Sequence, residues 1–122
     1  MLVVPDTLED PRFRDNPARH RRACARRCGR MTPSGRFGGE EFLAVLPRCD
    51  GRAALTIAER TRGKVEAERF ETTSGVVRAT LSLGVATLAA APGVDAPELI
   101  EVADRALYRA KAAGRNRVAI AA

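Results

Sequence analysis

Two carboxylates follow two glycines in Arg36-Phe37-Gly38-Gly39-Glu40-Glu41-Phe42, within a chain of 122 residues. Glycines at a hairpin tip carry no Cβ, so a bulky ligand can approach the backbone closely. Adjacent carboxylates at such a tip repel each other at neutral pH unless a cation neutralises them. Hard cations such as Mg²⁺ take carboxylate oxygens and often bring nucleotide phosphates with them. Taken alone, Gly-Gly-Glu-Glu reads more readily as an ordinary polar turn. A second stretch, Ala103-Asp-Arg-Ala-Leu-Tyr-Arg-Ala-Lys-Ala-Ala-Gly-Arg-Asn116, changes that weighing. Lys111 and Arg115 flank the C-terminus of a predicted helix there, where cations suit the helix dipole. They equally suit a triphosphate, Lys111 as a point charge and Arg115 as a planar fork.

A third constellation is His20, Cys24 and Cys28, spaced four apart so that a helix would present them on one face. Three such ligands plus water can hold zinc. The spacing matches no established zinc pattern, however, and Arg21, Arg22, Arg26, Arg27 and Arg30 would repel a cation. Unpaired thiols are the stronger reading. An odd count of three cysteines, without a secretory signal, points to a reducing cytosol and hence a cytoplasmic protein. No apolar run approaches the ~20 residues that a membrane helix needs, so no membrane span is expected.

The net charge is +6, and nearly all of the positive charge is arginine, with Lys64 and Lys111 the only lysines. Such a balance can signal an anionic partner, although an Arg- and Ala-rich coding bias accounts for it as well. Nucleic acid is not the expected partner. The Arg12–Arg36 segment offers only Phe13 and Phe37 for base stacking. With four Phe, one Tyr and no Trp, any core must be built from Leu, Val, Ile and Ala.

The elements that would position these residues begin near residue 35. Residues 1–35 hold four of the seven prolines and no sustained periodicity. Ser34 to Phe37 and the apolar run Phe42 to Leu46, stopped by Pro47, form a predicted hairpin across Gly38-Gly39. Asp50 is the predicted N-cap of a helix to about Phe70, with Ala54, Ala58, Thr61 and Val65 as its buried stripe, Leu55 and Ile57 broadening it, and Glu59, Arg60, Arg62, Lys64, Glu66 and Glu68 mostly outside it. Gly75 marks a turn. Val77, Ala79, Leu81, Leu83 and Val85 alternate with small or polar residues, the mark of one strand with one apolar face. Asp95-Ala-Pro-Glu98 is a capping box for a second helix, with Leu99, Ile100, Ala103, Leu107 and Ala110 inside and Gly114 as its left-handed cap. Val118 to Ile120 is a short last strand. The fold class is α+β.

Together, Arg36-Phe-Gly-Gly-Glu-Glu-Phe42, Ala58-Glu-Arg60, Thr80-Leu-Ser-Leu-Gly-Val-Ala86 and Ala103 to Lys111 with Gly114-Arg-Asn116 resemble the GGDEF family of diguanylate cyclases over about residues 36–121. The resemblance implies a palm-like sheet of nucleotide-cyclase type and the joining of two GTP molecules into cyclic di-GMP. Each 3′-hydroxyl attacks the α-phosphate of the other GTP, assisted by Mg²⁺ or Mn²⁺, in a homodimer or a pairing with another GGDEF domain. By position, Gly38 and Gly39 would turn against the nucleotide. Glu40 would bind metal, with Glu41 beside it assisting metal binding or hydroxyl activation. Lys111 and Arg115 would hold the phosphates.

The same resemblance implies gaps. Family members begin with a strand ending in an Asp-x-Asp-Phe-type metal site, followed by guanine-reading Asn and Asp residues, and no such segment precedes Arg36. Two strands of the sheet would then lose their shared partner and expose open edges. Met1 to Val4 offers a substitute, with Asp6 near the lost ligand, but Pro5 follows at once. In the register of the family's inhibitory Arg-x-x-Asp site stand Arg30-Met-Thr-Pro33, so Pro33 replaces the Asp and no inhibitory site is expected. Leu2 to Pro17 is similar to a stretch of GAF sensory domains. The expected division is therefore a GAF-like remnant and basic linker at 1–35, with a deletion scar at Ala18–Gly35, and a partial GGDEF domain at 36–122. The expected function is a diguanylate cyclase domain with impaired catalysis. The alternative is a non-catalytic GTP-binding or dimerisation module of a cyclic di-GMP signalling protein.

Overall fold

The alternation of Leu81, Leu83 and Val85 with Ser82 and Gly84 puts a strand at the heart of the molecule. In the computed structural model all five of these residues are buried. The structure describes residues 2–5, 34–38, 41–46, 49–89 and 93–121; the side chains of 2–5 and 34–38 lie outside the description. Along the chain run β1 (Leu2–Pro5), β2 (Ser34–Gly38), β3 (Glu41–Ala44), α1 (Gly51–Ala67), β4 (Phe70–Thr72), β5 (Gly75–Val77), β6 (Leu81–Val85), α2 (Ala96–Ala112) and β7 (Val118–Ile120). The main sheet has the order β2-β3-β1-β6-β7, and β4 pairs with β5 in a small second sheet. The α+β, palm-like class is met.

The gap expected in the middle of the sheet is filled. β1 lies antiparallel between β3 and β6, with Leu2 opposite Leu43 on one side and Gly84 on the other. β-branched Val3 and Val4 suit a pleated strand. Pro5 does not end the strand as the sequence suggested. It takes the last position, opposite Leu81 of β6, where among the described residues it has no counterpart in β3. That is a place where a residue without an N–H is tolerated.

Each face of β6 meets a helix. Leu81, Leu83 and Val85 join Ala54, Ala58 and Val65 of α1 in one buried cluster, with Val118 packed against it. The other face is bare enough for backbone contact with α2. A Cβ added at Gly84 would stand 2.1 Å from the Ala103 carbonyl oxygen and 2.4 Å from the Leu107 nitrogen. Glycine is required there by close approach, not by its dihedral freedom. The expected single apolar face is thus only half of the burial, because a second helix covers the side with no large residues.

Both helices start as the sequence predicts. The Asp50 carboxylate accepts from Ala53 N–H at 2.8 Å. Asp95 and Glu98 form the reciprocal capping box, at 2.9 and 3.1 Å. Ala54, Ala58, Thr61 and Val65 of the predicted stripe of α1 are buried, while Leu55 and Ile57, which broaden it, are half-buried. Within it the Thr61 hydroxyl donates to the Ile57 carbonyl at 2.8 Å, which satisfies the polar atom inside. In α2, Ala103, Leu107 and Ala110 are buried together with Ala106, while Leu99 and Ile100 are half-buried.

Three boundaries differ from expectation. α1 ends at Ala67, and Phe70 opens β4 instead of closing the helix. The strand expected over Val77–Val85 is two: Val77 closes β5, and β6 begins at Leu81. The β4–β5 turn is fastened by the Thr72 hydroxyl, which donates to the Gly75 carbonyl at 2.7 Å, with Gly75 at φ +118°. β3 stops at Ala44 rather than Leu46 and leaves Val45 exposed.

Candidate functional site

Glu41 opens β3, opposite Gly38 of β2, and the pairing shifts register between Arg36 and Gly38. Alternation along β3 sends Glu41 and Leu43 to one face and Phe42 and Ala44 to the other. Leu43 packs against Ala103 and Leu107, so Glu41 shares the α2 face. Its carboxylate lies 3.9 Å from the Lys111 ammonium in the last turn of α2, and both side chains are about one-third exposed. The acidic end of the hairpin and the basic end of the helix therefore adjoin, although 70 residues separate them in sequence. Gly39, Glu40, Pro33, His20, Cys24, Cys28 and Asp6 lie outside the described residues.

Past Lys111 the chain closes α2 with a Schellman motif. Gly114 N–H bonds to the Lys111 carbonyl at 3.2 Å, and Arg115 N–H to the Ala110 carbonyl at 3.1 Å. Gly114 has φ +113°, as its predicted role requires. The left-handed excursion then continues through two residues that bear side chains, Arg115 at φ +60° and Asn116 at φ +46°. Such a conformation costs a non-glycine residue roughly 1–2 kcal/mol, with Asn the more tolerant type. The Arg115 carbonyl accepts from Arg117 Nε at 3.0 Å, and the Arg115 side chain is exposed.

Asn116 is bound to α1. Its amide nitrogen donates to Glu66 Oε1 at 2.7 Å, and its amide oxygen accepts from an Arg62 terminal nitrogen at 2.9 Å. Glu66 Oε2 accepts from that same Arg62 nitrogen at 2.8 Å, which closes a three-cornered ring. Arg62 Nε also donates to Glu59 at 3.0 Å. The Asn116 and Arg62 bonds hold the Glu66 carboxyl below the usual glutamate range, and Glu59 and Glu66 raise Arg62 above its ordinary value. Sequence reading placed Arg62 and Glu66 on the solvent side of a helix and gave Asn116 no role. The available signal was Asn after Gly-Arg, a residue type suited to a left-handed position.

The carboxylate of Glu41 is a hard oxygen donor, and its 3.9 Å separation from Lys111 is longer than a tight charge-assisted hydrogen bond. That donor chemistry fits Mg²⁺ or Mn²⁺. Among the described residues no three His, Cys, Asp or Glu side chains gather as a metal site, so Glu41 is one donor and not a full set.

The diguanylate cyclase GGDEF-domain family model matches residues 22–117. This chain belongs to the GGDEF family. As a GGDEF domain it is similar to diguanylate cyclase DosC of Escherichia coli (strain K12). The two are 42% identical over 84 residues, which are 68% of this chain but only 18% of that relative. Among solved structures it resembles the GGDEF domain of DgcB from Caulobacter crescentus in complex with c-di-GMP. That match has a TM-score of 0.79 at 27% identity and covers 98% of this chain and 75% of that one. It also resembles diguanylate cyclase SiaD, in complex with its activator SiaC from Pseudomonas aeruginosa. There the TM-score is 0.82 at 27% identity, over 98% of this chain and 48% of the other. Among the described residues of this GGDEF domain, no helix is long and apolar enough to cross a membrane.

Proposed function

We propose that this GGDEF domain binds GTP with Mg²⁺ or Mn²⁺ between the Gly38–Glu41 hairpin and the C-terminal end of α2. Paired with a second GGDEF domain, it joins two GTP molecules into cyclic di-GMP. One observation carries the reading. The Glu41–Lys111 contact brings the hairpin end beside the helix end that carries Lys111. Gly38 and Gly39 would let the nucleotide approach the hairpin backbone. Lys111 and Arg115 would bind its phosphates, where two cations offset triphosphate charge. Glu40 and Glu41 would hold the metal, which when bound neutralises phosphate charge. In each of two steps a 3′-oxygen bonds to the α-phosphorus of the facing GTP and pyrophosphate leaves. One domain holds one GTP, so the reaction requires two domains face to face. The site of action is the cytoplasm.

β1 closes the middle of the sheet and so answers the open edges expected there. The expectation of impaired catalysis rests on the first-strand metal ligand and the guanine-reading residues.

The test is cyclic di-GMP production from GTP and Mg²⁺, with GTP titration alongside. Binding that Lys111→Ala and Arg115→Ala each weaken about tenfold supports the nucleotide site. Binding indifferent to both removes it. Turnover that disappears with Glu40→Ala assigns the hairpin carboxylate to the reaction.

A further inference from the structure

Lys111 and Arg115 reach their positions by different means. Lys111 stands within a helix, whose hydrogen bonds fix its backbone. Arg115 stands beyond the helix, in a left-handed conformation that its own side chain does not favour. The next residue, Asn116, joins Glu66 and Arg62 in a ring closed by bonds of 2.7, 2.8 and 2.9 Å. The ring spans 50 and 54 residues of sequence and connects the turn after α2 to the last turns of α1. Its chemistry is directional. The amide oxygen of Asn116 faces a guanidinium and the amide nitrogen faces a carboxylate, so only one orientation of the amide is satisfied. Glu66 uses one oxygen for each partner and so fixes both. None of the three side chains belongs to the proposed phosphate-binding set.

We propose that Asn116, Glu66 and Arg62 form a positioning latch that holds the Arg115 backbone in its left-handed conformation, so that its guanidinium is presented to the nucleotide phosphates beside Lys111. The inference rests on the nucleotide reading above and assigns to that site three positioning residues on two elements. The latch acts only through Arg115, and that gives it a signature. Loss of the latch weakens phosphate binding while Arg115 is present and has no further effect once Arg115 is gone.

The experiment is a double-mutant cycle on the full 122-residue chain, with Mg²⁺–GTP affinity measured by calorimetric titration. Asn116→Gly keeps the left-handed backbone accessible and removes both amide bonds. It is expected to weaken GTP binding about fivefold, and Arg115→Ala about tenfold, while the double variant matches Arg115→Ala within about twofold. Glu66→Gln, a half-exposed change that leaves the core intact, is expected to reproduce the Asn116→Gly result. It also keeps the test available if Asn116→Gly does not fold. Equal losses from Asn116→Gly with and without Arg115 overturn the latch, because a general structural effect is independent of Arg115. Wild-type affinity in both Asn116→Gly and Glu66→Gln overturns it as well. In either case Arg115→Ala still weakens binding and the nucleotide reading stands. GTP affinity unchanged by Arg115→Ala overturns that reading, and the latch with it.

Discussion

The two sides of the proposed nucleotide site are built differently. The acidic side is a hairpin end. β2 is an edge strand of the sheet that among the described residues pairs with β3 alone, and the described contact from Glu41 to the rest of the site is one partly exposed ion pair. The basic side is a helix end that backs onto the sheet at van der Waals distance through Gly84, closes with a Schellman motif, and is tied to α1 by charged hydrogen bonds. Among the described residues the helix end that carries Lys111 therefore has more packing beneath it than the hairpin end that carries Glu41. A phosphate clamp depends on preorganised donors. A carboxylate pair that takes a metal together with its substrate gains less from rigidity.

The largest expected effect breaks the basic side at its base. In Gly84→Val the new side chain collides with the Ala103 and Leu107 backbone, so α2 must lift from β6. A loss of about 3 kcal/mol or more is expected, read as a lowered urea midpoint or the absence of a cooperative transition. Next in size is Asp95→Ala, which removes the capping box at the other end of the same helix and costs about 1 kcal/mol by the same unfolding measurement. A smaller effect is expected on the acidic side. Glu41→Gln removes a partly exposed ion pair and should shift stability by less than about 0.5 kcal/mol, so its consequence appears in Mg²⁺–GTP affinity and not in the melt. A loss comparable to Gly84→Val would mean that the hairpin is as deeply built in as the helix end.

The smallest effect is pH-dependent. The folded-state pKa of Glu66 lies below its unfolded value, first through Asn116 and then through Arg62. Its contribution is therefore complete above the ordinary glutamate range of about 4.3 and is lost as pH falls through the depressed folded value. Wild-type chain should lose thermal stability more steeply than Glu66→Gln on acidification below about pH 4. Parallel curves would show that the ring does not survive in solution.

Local chemistry read directly from the sequence was reliable where each signal is short-range. The caps at Asp50 and Asp95, the Ala54–Val65 stripe of α1, the Gly114 terminus and the GGDEF motifs each depend on residues close together in sequence, and each was visible. The first strand was misjudged, because Pro5 is a local stop signal while the value of Leu2–Pro5 lies in two distant neighbours, β3 and β6. The split between β5 and β6 was missed for the same reason: period-two alternation runs on through Val77–Val85, and only pairing with Phe70–Thr72 draws Val77 into another sheet.

The sequence by itself determined the two helices, their starts and buried stripes, and the residue types able to meet a metal-bound triphosphate. Tertiary structure alone decided that Glu41 and Lys111 are neighbours, that Gly84 is a helix contact, and that Arg62 and Glu66 of α1 hold Asn116. Helical and strand periodicity is written in neighbouring residues. Contacts between residues 50 or more positions apart depend on which faces the sheet turns toward each other, and that arrangement results from how the strands pair.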